Sequence, residues 1–481
     1  MDSHRQINLH LTQHLACVAA VWFLPAAVSP VIAQCQLQKL LASEGTANDR
    51  FGRAVAIDAD LLILGASGDF GNEFLSGSAY IFRANRSSWT EETRLIASDG
   101  EASDYFGGSV AVSGDVVIVG APSDDGPPPG QNFGSAYVYR FDPKTSAWDE
   151  TKLTAADGAH MDHFARSVAI NGDVAIAGSH GDDDNGTGSG SAYIFRYDPD
   201  TSAWAQETKL LASDGAEGDR FGASVAMSGQ LALVGASEDG DNGMYSGSAY
   251  VFRYDPDTSA WIEEAKLLAS DGAALDWFGR SVAISGDHLI VGAAEFYSGR
   301  PGKAYIYHFD GSKWIEQTTL RAVDGALEDH FGEVVAIEDG MAIVGVRMDD
   351  DNGEDSGSAY VYRFDLDTSM WVEQAKLLAS DGSAGDQFGD AVAVGNGQVI
   401  VGAPFDQDNG PDSGSAYIFD LGVCSRCAWD LDGDSSVGIL DLLELLAAWG
   451  ADPGDPPDFD GDGTVGILDL LTLLANWGPC V

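Results

Sequence analysis

Apolar residues in this chain come in short alternating or continuous runs, each closed by turn residues, and the same sequence of runs keeps returning. Between residues 221 and 267 the order is clear. SVAM (224–227) alternates, Ser228-Gly229 makes a tight turn, LALVGAS (231–237) is continuously apolar, and an acidic loop follows. GSAYVFRY (247–254), a DPDTSA turn and a last run from Trp261 through Lys266 and Leu267 complete the unit. Such runs, bounded by turn chemistry, predict four short strands per unit. The marker Phe-Gly recurs at Phe51, Phe106, Phe164 (followed by Ala165), Phe221, Phe278, Phe331 and Phe388, at intervals of 55, 58, 57, 57, 53 and 57 residues. A fixed period of this length decides the architecture before any local assignment.

A four-stranded meander cannot bury both of its faces alone, so the seven copies must pack their sheets on one another. The termini show how. Six copies end in a strand carrying Trp89, Trp148, Trp204, Trp261, Trp314 or Trp371, but the seventh stops after SAYIFDLGV (415–423). The missing piece stands at the other end, where QKLLASEG (38–45) matches AKLLASDG (265–272). A ring needs such a clasp and a linear stack does not. The expected fold is therefore all-β: a seven-bladed β-propeller over residues 34–423, closed by an N-terminal strand, with a small α-helical calcium-loop domain over 424–481.

The first 33 residues differ from the rest. Arg5 and several His precede an apolar run, LACVAAVWFLPAAV (15–28), too short to cross a bilayer comfortably, and Val31 and Ala33 occupy small-residue positions before a cut ahead of Gln34. This is the pattern of a secretory signal peptide, so a secreted or envelope-associated protein with no transmembrane span is expected. The 481 residues carry 75 Asp plus Glu against 25 Lys plus Arg, a formal charge of −50. So negative a surface repels phosphate backbones and acidic headgroups, which argues against nucleic acid as a partner and for cations.

FGASVAMSGQLALVGAS and its six counterparts resemble the FG-GAP repeats of integrin α-subunit propellers, more closely a bacterial form with a short turn between the first two strands. The resemblance covers about 390 residues and implies a propeller used for recognition or adhesion, with an unidentified protein or glycan as ligand. Integrin-type blades carry a calcium loop between those first two strands. Here only short turns such as Ser113-Gly114-Asp115 stand there, so that site does not transfer.

Meander geometry suggests another cation site. The loop between second and third strands and the link to the next blade emerge on one face. The former carries DxDNG in four copies, Asp182/Asp184, Asp239/Asp241, Asp349/Asp351 and Asp406/Asp408. The latter places an acid two residues before each Phe: Asp49, Asp104, Asp162, Asp219, Asp276, Asp329 and Asp386. Crowded carboxylates repel, and calcium, which takes six to eight oxygen ligands, would relieve them. The competing reading is that Asp and Asn simply make these turns.

The C-terminal segment holds the most specific motif. DLDGDSSVGILD (430–441) and DFDGDGTVGILD (458–469) place carboxylates at loop positions 1, 3, 5 and 12, the spacing that wraps oxygens around calcium. The expected ligands are Asp430, Asp432, Asp434, the Ser436 carbonyl and Asp441 in one loop, and Asp458, Asp460, Asp462, the Thr464 carbonyl and Asp469 in the other. Each loop runs into a helix, LLELLAAWG (442–450) or LLTLLANWG (470–478). Two loop-helix units 28 residues apart (458 − 430) resemble the dockerin module, which implies docking to a cohesin-type or cell-surface receptor. Dockerins commonly place polar pairs at loop positions 10 and 11, where this chain has Ile439-Leu440 and Ile467-Leu468. The four cysteines beyond the leader, Cys35, Cys424, Cys427 and Cys480, allow three pairings. Strand alignment sets Cys35 near Cys424, so Cys35–Cys424 and Cys427–Cys480 are expected.

No nucleophile motif accompanies the scattered histidines. The sequence thus points to an exported, calcium-dependent binding or adhesion protein rather than an enzyme. A propeller hydrolase or lyase acting on carbohydrate, or a structural envelope component, is the alternative.

Overall fold

The second run of each repeat is almost continuously apolar, and such a strand needs cover on both faces. The computed structural model, which describes residues 36–85, 88–125, 130–296, 298–421, 431, 436–450, 464–475 and 478–479, supplies it from the blades on either side. In the fourth blade Phe221–Ser228, Leu231–Ala236, Ser248–Asp255 and Ala260–Leu267 pair in that order, all antiparallel. Leu231–Ala236 is buried throughout. A two-residue turn joins the first two strands, with Gly229 at φ 57°.

Blades one to six span residues 51–95, 109–153, 167–210, 221–267, 278–320 and 334–377, each a sheet of four sequential strands. The seventh is different. Its three strands, Ala391–Gly395, Gln398–Ala403 and Ser415–Asp420, take their outermost partner from Gln36–Leu40, with Lys39 opposite Tyr417 as Lys266 is opposite Tyr250. The innermost strands of successive blades pack side by side, and that of the first packs on that of the seventh. The ring is closed as expected.

Seven apolar cores follow, one per blade interface; Leu62, Tyr80 and Phe82 of the first blade, for example, share a core with Ile400 and Ile418 of the seventh. The Tyr of each Gly-Ser-Ala-Tyr segment meets the Phe of Phe-Gly edge to face, as in Phe221–Tyr250 at 5.3 Å. The glycines of these motifs have a steric cause. Gly190, at φ 83°, forms a bridge with Phe221 of the next blade, and a Cβ there would lie 2.0 Å from the Phe221 carbonyl oxygen. Repeated aromatic and arginine side chains tie the blades together elsewhere: Arg140 lies 4.0 Å from the Tyr197 ring centroid, and Tyr197 packs on Trp204.

Near the C-terminus two helices, Ile439–Ala447 and Ile467–Ala475, share a small core of Val437, Leu445, Val465 and Leu473, and Ser436–Val437 pairs with Gly478–Pro479. Both helices start three residues before the expected points. Asp441 and Asp469 therefore lie in first turns, where their carboxylates accept the amides of Gly438 and Gly466, each at 2.6 Å. None of the described helices is long and apolar enough to cross a membrane. The expected signal peptide, all four cysteines, and Asp430, Asp432, Asp434, Asp458, Asp460 and Asp462 lie outside the described residues.

Candidate binding face and cation sites

The links between blades and the loops between second and third strands do share one face, since each Phe-Gly bridges to the glycine that ends such a loop. The carboxylates gather there, and so does a basic side chain. In the third blade Lys209 Nζ lies 2.9 Å from Asp157, 2.7 Å from Asp182 and 2.8 Å from Asp184. Lys266 meets Asp214, Asp239 and Asp241 in the same way, Lys376 meets Asp324, Asp349 and Asp351, and Lys39 meets Asp381, Asp406 and Asp408. All four DxDNG pairs thus surround an ammonium, and the oxygens of Asp381, Asp406 and Asp408 also lie close enough together to hold a metal ion. The Tyr193 hydroxyl lies 2.9 Å from both Asp157 and Asp182, and Asp182 is only 3% exposed. Burial pushes Asp157 up, but the Lys209 ammonium and the Tyr193 hydroxyl outweigh it and hold the carboxyl below its ordinary range.

The other blades keep the arrangement with altered parts. Arg94 pairs with Glu44 and Asp69, and Lys152 with Asp99 and Asp124. The fifth blade moves the charge: Thr319 stands where the others have Lys or Arg, and Lys303 replaces the Ser before Ala-Tyr, reaching Asp271 at 2.8 Å and Glu295 at 3.2 Å. Because the acid after one blade's outermost strand meets the cation of the next blade, each cluster staples an interface. The one at Lys39 staples the closure of the ring. The sequence carried this signal in the lysine of each KLLASDG, which is an outer-strand residue until the sheet brings it over the loops.

The seven acids before Phe make turns. Asp49, Asp104, Asp162, Asp276, Asp329 and Asp386 are buried and Asp219 is half-buried, and each accepts the backbone amide three residues upstream, as Asp162 does from Ala159 at 2.6 Å. Burial raises Asp104 to about 7, and Asp162 and Asp386 to about 6.

Between each such Asp and Phe stands a residue in the left-handed backbone region: Arg50, Tyr105, His163, Arg220, Trp277, His330 or Gln387, with φ from 52° to 60°. For a non-glycine residue this costs about 1 kcal/mol or more. Amide bonds to the preceding blade hold it, as from Trp277 to the Tyr245 carbonyl at 2.9 Å. The backbone is identical in seven places and the side chain differs. Trp277 Nε1, His330 Nδ1 and, one strand away, His180 Nδ1 are enclosed with no hydrogen-bond partner. Histidines scattered in sequence also meet here: the His163 and His180 rings are nearly parallel, 5.5 Å apart.

The residue after Phe-Gly lines the axial opening. Glu333 and Asp390 supply acids from the last two blades, Arg53, Arg166 and Arg280 supply bases from the first, third and fifth, and Gly108 and Ala223 leave gaps between them. Asp390 pairs with Arg53, and Glu333 with Arg347 at 2.5 Å and Arg280 at 3.7 Å.

In the tail Asp441 and Asp469 are each 1% exposed, and Asp441 also accepts the Leu431 amide at 2.5 Å, which ties the start of the first loop to its last expected ligand. Residues 427–481 contain eleven Asp plus Glu and no Lys or Arg. The expected ligands of the two loops are all hard oxygens, the donors that calcium takes.

Residues 35–82, 89–139, 148–195, 204–252, 261–307, 314–362 and 371–419 match the FG-GAP repeat. Each matched unit starts at an outermost strand and ends on the third strand of the following blade, so every sequence repeat spans an interface. No curated protein matches the chain. Among solved structures, a structural-genomics protein from Lactobacillus plantarum aligns with 16% identity over 72% of this chain and 89% of its own, with a TM-score of 0.45.

Proposed function

The chain belongs to the FG-GAP repeat family, and on that premise we propose that it is an exported, calcium-dependent binding or adhesion protein, with the propeller as recognition disc and the tail as anchor. The collar before the seven Phe residues carries this reading. One strained backbone conformation, repeated seven times, presents Arg, Tyr, His, Arg, Trp, His and Gln on a single face, and enclosed donors or acceptors there lack partners. Repetition fixes the frame, and variation at its rim suits a ligand without internal symmetry. The protein acts by binding rather than by catalysis.

Calcium would be held by Asp430, Asp432, Asp434, the Ser436 carbonyl and Asp441, and by Asp458, Asp460, Asp462, the Thr464 carbonyl and Asp469. The acid-only composition of the tail and the buried carboxylates of Asp441 and Asp469 support this. A dockerin-like docking role is supported by Ile439, Leu440, Leu443, Ile467, Leu468 and Leu471, all at least half exposed on the two helices. They suit an apolar patch on a cohesin-like or cell-surface receptor. Two measurements test the proposal. Calorimetric titration should find two calcium sites in the intact protein and lose both in the Asp441→Asn/Asp469→Asn variant; sites that persist would move calcium elsewhere. Arrays of extracellular proteins and glycans should capture the protein, and Trp277→Ala/His330→Ala should abolish capture; equal capture of the variant would remove the collar from recognition.

A further inference from the structure

We propose that the axial opening binds a singly charged oxyanion, the carboxylate or sulfate group of a polar ligand, against Arg166. This names the ligand chemistry of the recognition face and rests on that reading.

The argument begins with charge. In a chain of −50, three arginines on alternate blades converge on one opening. Arg53 and Arg280 have carboxylate partners there, and among the described residues Arg166 makes no side-chain hydrogen bond or ion pair. Arg166 is exposed to the water of the opening, with the walls crowded around it. Burial, and then the nearby Arg280 and Arg53, bring its pKa down to about 10, with Asp390 acting the other way. A cation held among cations without a partner is stabilised by an incoming anion, and a planar guanidinium matches a carboxylate or sulfate through two parallel hydrogen bonds.

Shape agrees. Arg166's neighbours at the same position of the ring are Gly108 and Ala223, the two smallest residues in the set, so space lies on both sides of it. Outward from Arg166 a hollow of about 330 Å³ opens between the first three blades, with Arg50, Tyr105, His163 and His180 in its wall. The His163 Nδ1 lies 3.1 Å from the Pro122 carbonyl and must donate to it. Its other ring nitrogen is therefore an acceptor when the ring is neutral. Burial, with Arg166 and His163 adding to it, lowers His180 to about 3, so that ring is neutral at pH 7 and its unpartnered Nδ1 can serve an uncharged polar group. One anionic group at Arg166 and neutral hydroxyls along the histidines match these groups. A polyanion does not, because Glu333 and Asp390 face the opening from the opposite side.

The test uses the intact protein at low ionic strength with D-glucuronate, methyl sulfate, acetate and uncharged D-glucose as probes, read by ligand-detected NMR and by thermal unfolding. Glucuronate should bind and raise Tm, glucose should do neither, and Arg166→Gln should weaken glucuronate about tenfold or more while Arg166→Lys keeps part of the affinity. Methyl sulfate binding more tightly than acetate would assign the group as a sulfate ester, and the reverse order as a carboxylate. Without any anion, Arg166→Gln should unfold at the same or a higher temperature than the parent, since it removes an unpaired charge. The proposal is overturned if no anion binds, if Arg166→Gln binds as the parent does, or if that variant is destabilised without ligand. Should no anion bind while array capture persists, the anion site alone fails; loss of capture as well would retire the recognition reading.

Discussion

Acid-rich loops occur in two parts of this molecule, and they solve the same electrostatic problem in opposite ways. In the propeller the carboxylates of each blade interface close around a Lys or Arg contributed by the fold itself. In the tail eleven acids share 55 residues (427–481) with no basic side chain. The motifs look alike in sequence: DxDNG and DxDGD differ by little. What separates a self-neutralised cluster from a candidate metal site is whether an ammonium lies within about 3 Å in space, and that residue stands far off along the chain. Lys39 and Asp408, 369 residues apart, are the extreme case.

That contrast is open to direct attack. Lys39→Met leaves Asp406, 3% exposed, facing Asp381 and Asp408 with no counter-charge. Breaking a buried pair by removing one partner should cost about 3–5 kcal/mol, read by urea unfolding. Because the five residues Gln36–Leu40 close the ring, limited proteolysis should also cut near residue 41 much faster than in the parent. If calcium restores the variant's stability, the propeller clusters are latent metal sites and the contrast dissolves.

A smaller effect tests whether the position of the cation matters or only its presence. Lys209→Thr should destabilise the third blade, and adding Ser191→Lys, which copies the arrangement of Lys303 and Thr319 in the fifth blade, should recover about 1–3 kcal/mol of that loss. Failure to recover would mean that Glu295 and Arg300, which pair only in the fifth blade, are needed as well.

The smallest effect concerns three of the acids before Phe, Asp104, Asp162 and Asp386, which form no ion pair among the described residues, whereas Asp276 pairs with Arg300. Asp104, Asp162 and Asp386 hold protons in the folded chain at pH values where an unfolded carboxyl has released them. Their contribution to stability is complete below about pH 4 and is lost as pH rises through 6 to 7. Asp104→Asn keeps the acceptor for the Glu101 amide but has no proton to lose. Between pH 5 and 7.5 its stability should fall by about 2 kcal/mol less than the parent's, measured from urea midpoints at both pH values.

The periodic run of strands, the seven-fold count, the missing Trp strand and its replacement by residues 36–40 were all legible along the chain, because strand alternation and turn chemistry are local and a ring's clasp leaves its mark at the termini. The face shared by acidic loops and blade links was legible too, from meander connectivity alone. Three things were not. The lysine that neutralises each DxDNG loop belongs to an outer strand whose register decides which side chain reaches the loop. The collar of left-handed residues has no sequence signature, since Arg50, Trp277 and Gln387 are ordinary residues until a neighbouring blade fixes their backbone. The solitude of Arg166 is a fact about six other blades. A repeat dictates the shape of one unit through its own hydrogen bonds and apolar alternation, but charge balance and ligand geometry depend on distances between units, and those exist only once the ring has closed.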